Sequence, residues 1–192
     1  METDLLPIAK QFEEQLLWLR SNLKLSLESG TYITGSFLTY LIESKYRTPT
    51  WIPGDVDICC PYNRFDEIDQ FLKSLTTTYK TWETDQGLKN TYYHLPGFIR
   101  ISVQPTVMNF KKRAEWTDYS IVALTGDGVD MYMTPFTAQD IYDKRLRAVR
   151  RLDADPNCNS MLLDRYRKYV NRGFIDQDQQ ISKSIEEFLN KL

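Results

Sequence analysis

Apolar residues recur every three or four positions between residues 4 and 26. Phe12, Leu16, Leu19 and Leu23 form a stripe among Lys10, Glu13, Glu14 and Arg20, which predicts an amphipathic first helix ending at Ser29-Gly30. The period then shortens. TYIT (31–34) has the content of a short strand and runs into Gly35-Ser36, after which FLTYLIESKY has the length and pattern of a second helix. RTPTWIPG, with two prolines, predicts a loop, and DVDICC (55–60) a strand in which Val56 and Ile58 alternate with Asp55, Asp57 and Cys59. FDEIDQFLKSL predicts a third helix with Phe65, Ile68, Phe71, Leu72 and Leu75 on one face. Residues 76–81 read as a strand or extended link, YYHLPGFIRISVQ as two strands meeting at Pro96-Gly97, and DYSIVALTGDGVDMYM as another pair meeting at Gly126-Asp127-Gly128. Helical patterns return in TAQDIYDKRLRAVRRL and MLLDRYRKYVNRGF. A last helix aligns Ile181, Ile185, Phe188 and Leu192, docked on its own domain or, as the minority reading, on a second copy.

This order predicts an α+β fold with an α/β-like core, a small mixed sheet flanked by helices, and a C-terminal helical tail. One domain accommodates all 192 residues, with the core at about 30–135 and the helical part at about 137–192. Composition agrees: 42% apolar and 26% charged residues, interspersed, exclude a disordered chain. The N-terminus carries acids early and lacks the apolar core of a signal peptide, and no run approaches the ~20 apolar residues of a membrane span. Cys59, Cys60 and Cys158 show no metal-ligand spacing, and His94 is the sole histidine, which speaks against a zinc site or a disulfide framework and favours a reducing, cytoplasmic setting. A Ser/His/Asp triad would have to use His94, and no GxSxG is present.

The chemistry-bearing stretch is GDVDICC. Residues i and i+2 of a strand face the same way, so Asp55 and Asp57 project side by side while Val56 and Ile58 enter the core. Two such carboxylates repel unless a cation lies between them, and a hard ion such as Mg2+ (or Mn2+) suits oxygen ligands. The same spacing also describes the polar face of a half-exposed strand. About twenty residues upstream, Gly35 permits close backbone approach, and Ser36 with the free N–H groups of the helix start can hold phosphate oxygens. Gly-Ser before a helix is equally an ordinary cap.

ITGSFLTYLIES followed by GDVDICC resembles the signature of the DNA polymerase beta-like nucleotidyltransferase superfamily: an apolar strand, Gly-Ser, a helix, then Asp-x-Asp on the neighbouring strand. A fainter likeness through FIRISVQP, DYSIVAL, TAQDIYDKR and RYRKYVNRGF is to small nucleotidyltransferase-like proteins of bacteriophages and large DNA viruses, which would place the chain in the host cytoplasm. The resemblance implies a sheet of the nucleotidyltransferase type, an NTP as partner gripped by Gly35 and Ser36, and Asp55 and Asp57 as catalytic, metal-binding residues. It implies transfer of NMP to a hydroxyl on a nucleic acid, a protein or a small molecule. Active members add a third carboxylate on a later strand. Here that strand is FIRISVQ, whose polar positions are Arg100, Ser102 and Gln104, and the nearest downstream acid is Asp118. The departure leaves an alternative, a catalytically degenerate fold that binds nucleotide or nucleic acid.

Net charge is −2, but it is segregated. Lys144 to Arg172 holds nine basic and three acidic residues, or +6, leaving about −8 for the rest. Either this segment receives phosphates, with Lys144 and Arg145 on the nucleotide, or it forms solvated helix faces balanced by acidic surfaces elsewhere. Tyr166, Tyr169 and Phe174 interleave with these charges as candidate base-stacking groups, or as core. His94 reads as a surface or packing residue, and alternation turns Cys59 toward the Asp face and Cys60 toward the core.

Overall fold

A computed structural model describes residues 6–83, 87, 89–149, 159–177, 179, 181 and 183. The amphipathic N-terminal segment forms α1 (Leu6–Leu23), burying Phe12, Leu19 and Leu23. The short strand β1 (Tyr32–Thr34) leads through Gly35 into α2 (Ser36–Glu43), all eight of whose residues are buried. Strand β2 (Asp55–Cys60) follows, then α3 (Tyr62–Leu75), which buries Phe65, Ile68 and Leu72. Leu75 of the expected stripe is exposed at the helix end. Next come β3 (Tyr79–Glu83), β4 (Lys89–Tyr93) and β5 (Arg100–Pro105). The chain continues through α4 (Phe110–Glu115), a 3-10 turn (Ser120–Val122), β6 (Leu124–Gly126), β7 (Met131–Met133), α5 (Thr137–Tyr142) and α6 (Asn159–Asn171).

The strands form one mixed sheet in the order β3-β4-β5-β2-β1-β6-β7, in which β2 and β5 run parallel and every other neighbouring pair is antiparallel. The central strand β2 divides its side chains between two environments. Val56, Ile58 and Cys60 join a core cluster with Phe37 and Leu38 of α2, Phe65 and Ile68 of α3, and Ile101 and Val103 of β5. Asp55, Asp57 and Cys59 line a cleft, so the expected division of the two cysteines holds. Rings tie the helices together: Phe12 meets Tyr40 edge-on at 5.3 Å between centroids, and Tyr40 meets Trp51 at the same spacing. Among the described residues, no helix is long and apolar enough to cross a membrane.

Helix α1 stops at Leu23, short of the expected Ser29-Gly30, where Lys24 takes a left-handed backbone (φ 52°), and three further segments differ from expectation. DYSIV is a 3-10 turn rather than strand, because Tyr119 and Ala148 form only an isolated bridge and the Ser120 hydroxyl turns inward to Asp140 (2.5 Å). The helix predicted through TAQDIYDKRLRAVRRL stops at Tyr142, since Lys144 takes a left-handed backbone (φ 56°), a conformation that cannot continue a right-handed helix. The turn lets Leu146 bury itself and its N–H bond the carbonyl of Ile175. Helix α4 lies in a stretch with no predicted element; its one sequence signal is Asn109, whose side chain caps the Lys112 N–H at 2.9 Å. Cys158, Ile185, Phe188 and Leu192 fall outside the described residues, whereas Ile181 is buried.

Candidate nucleotide and metal site

Gly35 stands where β1 turns into α2, with φ 83° and ψ −158°, a combination that essentially only glycine adopts. A Cβ there would lie 3.1 Å from Asp57 Oδ2, so the missing side chain also makes room for the carboxylate. Ser36, the first residue of α2, is buried, and no side chain caps the helix start, which leaves its N–H groups as donors for an anion. Gly35→Ala is expected to cost about 1–3 kcal/mol. Denaturant unfolding of the variant measures it, and an unchanged midpoint would contradict the strained turn.

The β1–β2 register sets Thr34 opposite Asp57 and so fixes the Gly35–Ser36 turn beside the carboxylates. The β2–β5 register sets Arg100 beside Asp55, Ser102 beside Asp57, and Gln104 beside Cys59. These are the three polar positions of the FIRISVQ strand. None is acidic, and they do not merely leave a gap: Arg100 Nη2 donates to Asp55 Oδ2 at 2.6 Å, and the Ser102 hydroxyl stands beside Asp57 and favours its anion. Burial at the cleft floor, followed by repulsion from Asp55, pushes Asp57 up to about 6, against the pull of Arg113, Lys168 and the Ser102 hydroxyl.

Thr34, Gly35, Ser36, Asp55, Asp57 and Cys59 form one side of a cleft of about 690 Å3, whose other walls include Tyr92, Gln104, Arg113, Trp116, Asp118, Arg165, Lys168 and Tyr169. Among the described residues, its lining cations come from two elements, Arg113 on α4 and Arg165 with Lys168 on α6. Asp118 also reaches this cleft, where it pairs with Arg165. Among the described residues, no three His, Cys, Asp or Glu side chains converge as a metal cluster. The groups that do converge are oxygen donors, with two carboxylates on one strand face and one of them disfavoured as an anion by burial and then by the other. That arrangement fits a hard divalent ion shared with a nucleotide's phosphates, the usual way Mg2+ is held by one or two carboxylates.

The basic segment from Lys144 onward splits by position. Arg165 and Lys168 line the cleft, whereas Lys144 and Arg145, the residues assigned to the nucleotide from sequence, are not among its lining residues. Lys144 pairs with buried Glu43, donates to the Arg172 carbonyl (3.1 Å) and sits over the Phe174 ring. Arg145 bridges Ile175 through its backbone. Arg147 pairs with Asp140 at 3.0 Å, and Arg172 lies over Trp51. Tyr169 and Phe174 are core residues, Tyr166 packs against the core, and His94 is exposed outside the cleft. Sequence reasoning missed Arg113 because α4 is a single short turn and a half whose charges show no amphipathic period.

No protein-family model and no curated protein matches the chain. Solved structures do match in fold. The Thermotoga maritima CCA-adding enzyme complexed with tRNA superposes with a TM-score of 0.60 at 16% identity, over 94% of this chain and 43% of that one. A CCA-adding enzyme in complex with ATP gives a TM-score of 0.62 at 17% identity, over 97% and 45%. A tRNA-processing enzyme complex gives 0.60 at 13% identity, over 92% and 46%. The chain thus spans less than half the length of these matched chains, and at such identity the likeness concerns the fold. CCA-adding enzymes are members of the polymerase beta-like nucleotidyltransferase superfamily, and the fold of this chain is of the nucleotidyltransferase type.

Proposed function

We propose that the protein is a metal-dependent nucleotidyltransferase that moves NMP from an NTP to a hydroxyl acceptor. The observation that carries this reading is the meeting, in one cleft, of the Asp55/Asp57 pair, the Gly35–Ser36 helix start and the cations Arg113, Arg165 and Lys168. Asp55 and Asp57 would hold Mg2+ or Mn2+, which supplies neutralisation of the charge that builds on the triphosphate oxygens. Gly35 lets a phosphate approach the backbone, and the N–H groups at the start of α2 donate to it. Arg113, Arg165 and Lys168 balance the remaining phosphate charge, and Asp118 holds Arg165 on the cleft wall. The fold neighbours described in complex with ATP, with CTP and with tRNA support an NTP and a nucleic acid as partners.

A second reading, nucleotide binding without turnover, is favoured by one observation: the strand positions beside the two acids carry Arg100 and Ser102. Incubation with labelled NTPs, Mg2+ and RNA or protein acceptors separates the two. Transfer by the wild type that disappears in Asp55→Ala/Asp57→Ala supports the enzyme. Metal-dependent binding with no labelled product selects the binding module, and absence of both removes both.

A further inference from the structure

Asp55 already has a cation. Arg100, directly opposite it on β5, places Nη2 2.6 Å from Asp55 Oδ2. The guanidinium does not drift freely. Its carbon lies 4.3 Å from the centroid of the Tyr92 ring, and Tyr92 in turn packs on Trp82 at 4.2 Å. Across adjacent strands β3, β4, β5 and β2 the series Trp82, Tyr92, Arg100, Asp55 therefore runs along one face of the sheet, two aromatic rings backing one cation that faces one carboxylate. A ring face attracts a guanidinium, so the stack fixes the charge beside the acid.

We infer that Arg100 is a fixed internal cation standing where a second divalent ion would otherwise be needed, so that the site takes a single metal ion. A two-metal centre needs carboxylate oxygens shared between ions about 4 Å apart. Here Asp55 Oδ2 is engaged by Arg100, and the position beside Asp57 carries the neutral Ser102. The oxygens that remain, the second oxygen of Asp55 and those of Asp57, suffice for one ion completed by phosphates and water. Among the described residues the further acid that lines the cleft, Asp118, is paired with Arg165, so a second dication beside the guanidinium would meet its full positive charge. This inference concerns the same site as the proposed transferase and takes from that reading only that the acids bind metal.

Mn2+ titration, followed by the loss of its free-ion paramagnetic resonance signal, tests it without nucleotide and without turnover. The wild type is expected to bind at most one Mn2+ per chain. Arg100→Met, which keeps the stem over Tyr92 and removes the charge, is expected to bind Mn2+ at least about tenfold more tightly. Arg100→Lys, which keeps the charge, stays near the wild type. Two ions per wild-type chain, an Arg100→Met affinity equal to the wild type's, or no Mn2+ binding by either form overturns the inference. Because the titration omits NTP, a chain that binds no nucleotide refutes the proposed function and leaves this result standing.

Discussion

Asp57→Asn is expected to make the nucleotide-free protein more stable at neutral pH while removing its capacity for metal. Asp57 has its proton affinity raised to about 6, first by burial and then by Asp55, from an ordinary value of 3.8. The folded state therefore binds a proton more tightly than the unfolded one. Stability from this group is fully present below about pH 4 and is lost as pH rises through about 6. At pH 7 the ionised side chain costs on the order of 2–3 kcal/mol. Asparagine keeps the shape but carries no charge. The melting temperature at pH 7 is expected to rise by roughly 5–10 °C, with the gain vanishing near pH 4. Mg2+, which would raise the melting point of the wild type at pH 7, should leave that of the variant unmoved. A variant less stable than the wild type at pH 7 would show that Asp57 is not held as a disfavoured anion. A stabilising substitution at the candidate centre is what a site organised to hold a cation should yield.

The second large effect lies outside the cleft. Glu43, fully buried at the end of α2, accepts a 3.0 Å hydrogen bond from Trp51 Nε1 and pairs with Lys144, itself mostly buried. Glu43→Ala removes both partnerships and leaves an ammonium and an indole N–H without their acceptor. The expected loss is about 3–5 kcal/mol, since breaking one side of a buried pair leaves an uncompensated charge. Glu43→Gln/Lys144→Met, which removes both charges, should recover much of it. A double-mutant cycle read by urea unfolding gives the coupling, and additive losses would mean the two groups do not act as a pair. Lys144 holds the start of the C-terminal part against α2 through this contact, and a residue so engaged is poorly placed to take a phosphate.

Local patterning carried the central elements into view. β2 and β5 could be read because strict alternation separates Val56, Ile58, Ile101 and Val103 from Asp55, Asp57, Arg100 and Ser102, and the register then sets the polar positions side by side. The Gly35–Ser36 turn was legible because few backbones other than a strand-to-helix reversal need glycine there. The role of Lys144 and the helix through it were not. A positive φ at a lysine has no local signature, and its buried partner Glu43 is remote in sequence, so the basic run looked like one amphipathic helix facing a ligand. In space it divides into cations that hold the fold, Lys144, Arg147 and Arg172, and cations that line the cleft, Arg165 and Lys168. Arg113 joins the latter from a helix too short for periodicity to register. Arg100 was visible as a missing acid, but its bond to Asp55 and its seat on Tyr92 required the sheet order.

Asp55 and Asp57 are expected to bind a divalent ion together with an NTP. Isothermal titration with a non-hydrolysable NTP, with and without Mg2+, on the wild type and on Asp55→Asn/Asp57→Asn measures this directly. Binding that requires Mg2+ and weakens at least about 100-fold in the double variant, equivalent to about 2.7 kcal/mol, is the predicted result. Equal affinity without Mg2+, or affinity untouched by loss of both carboxylates, would contradict it.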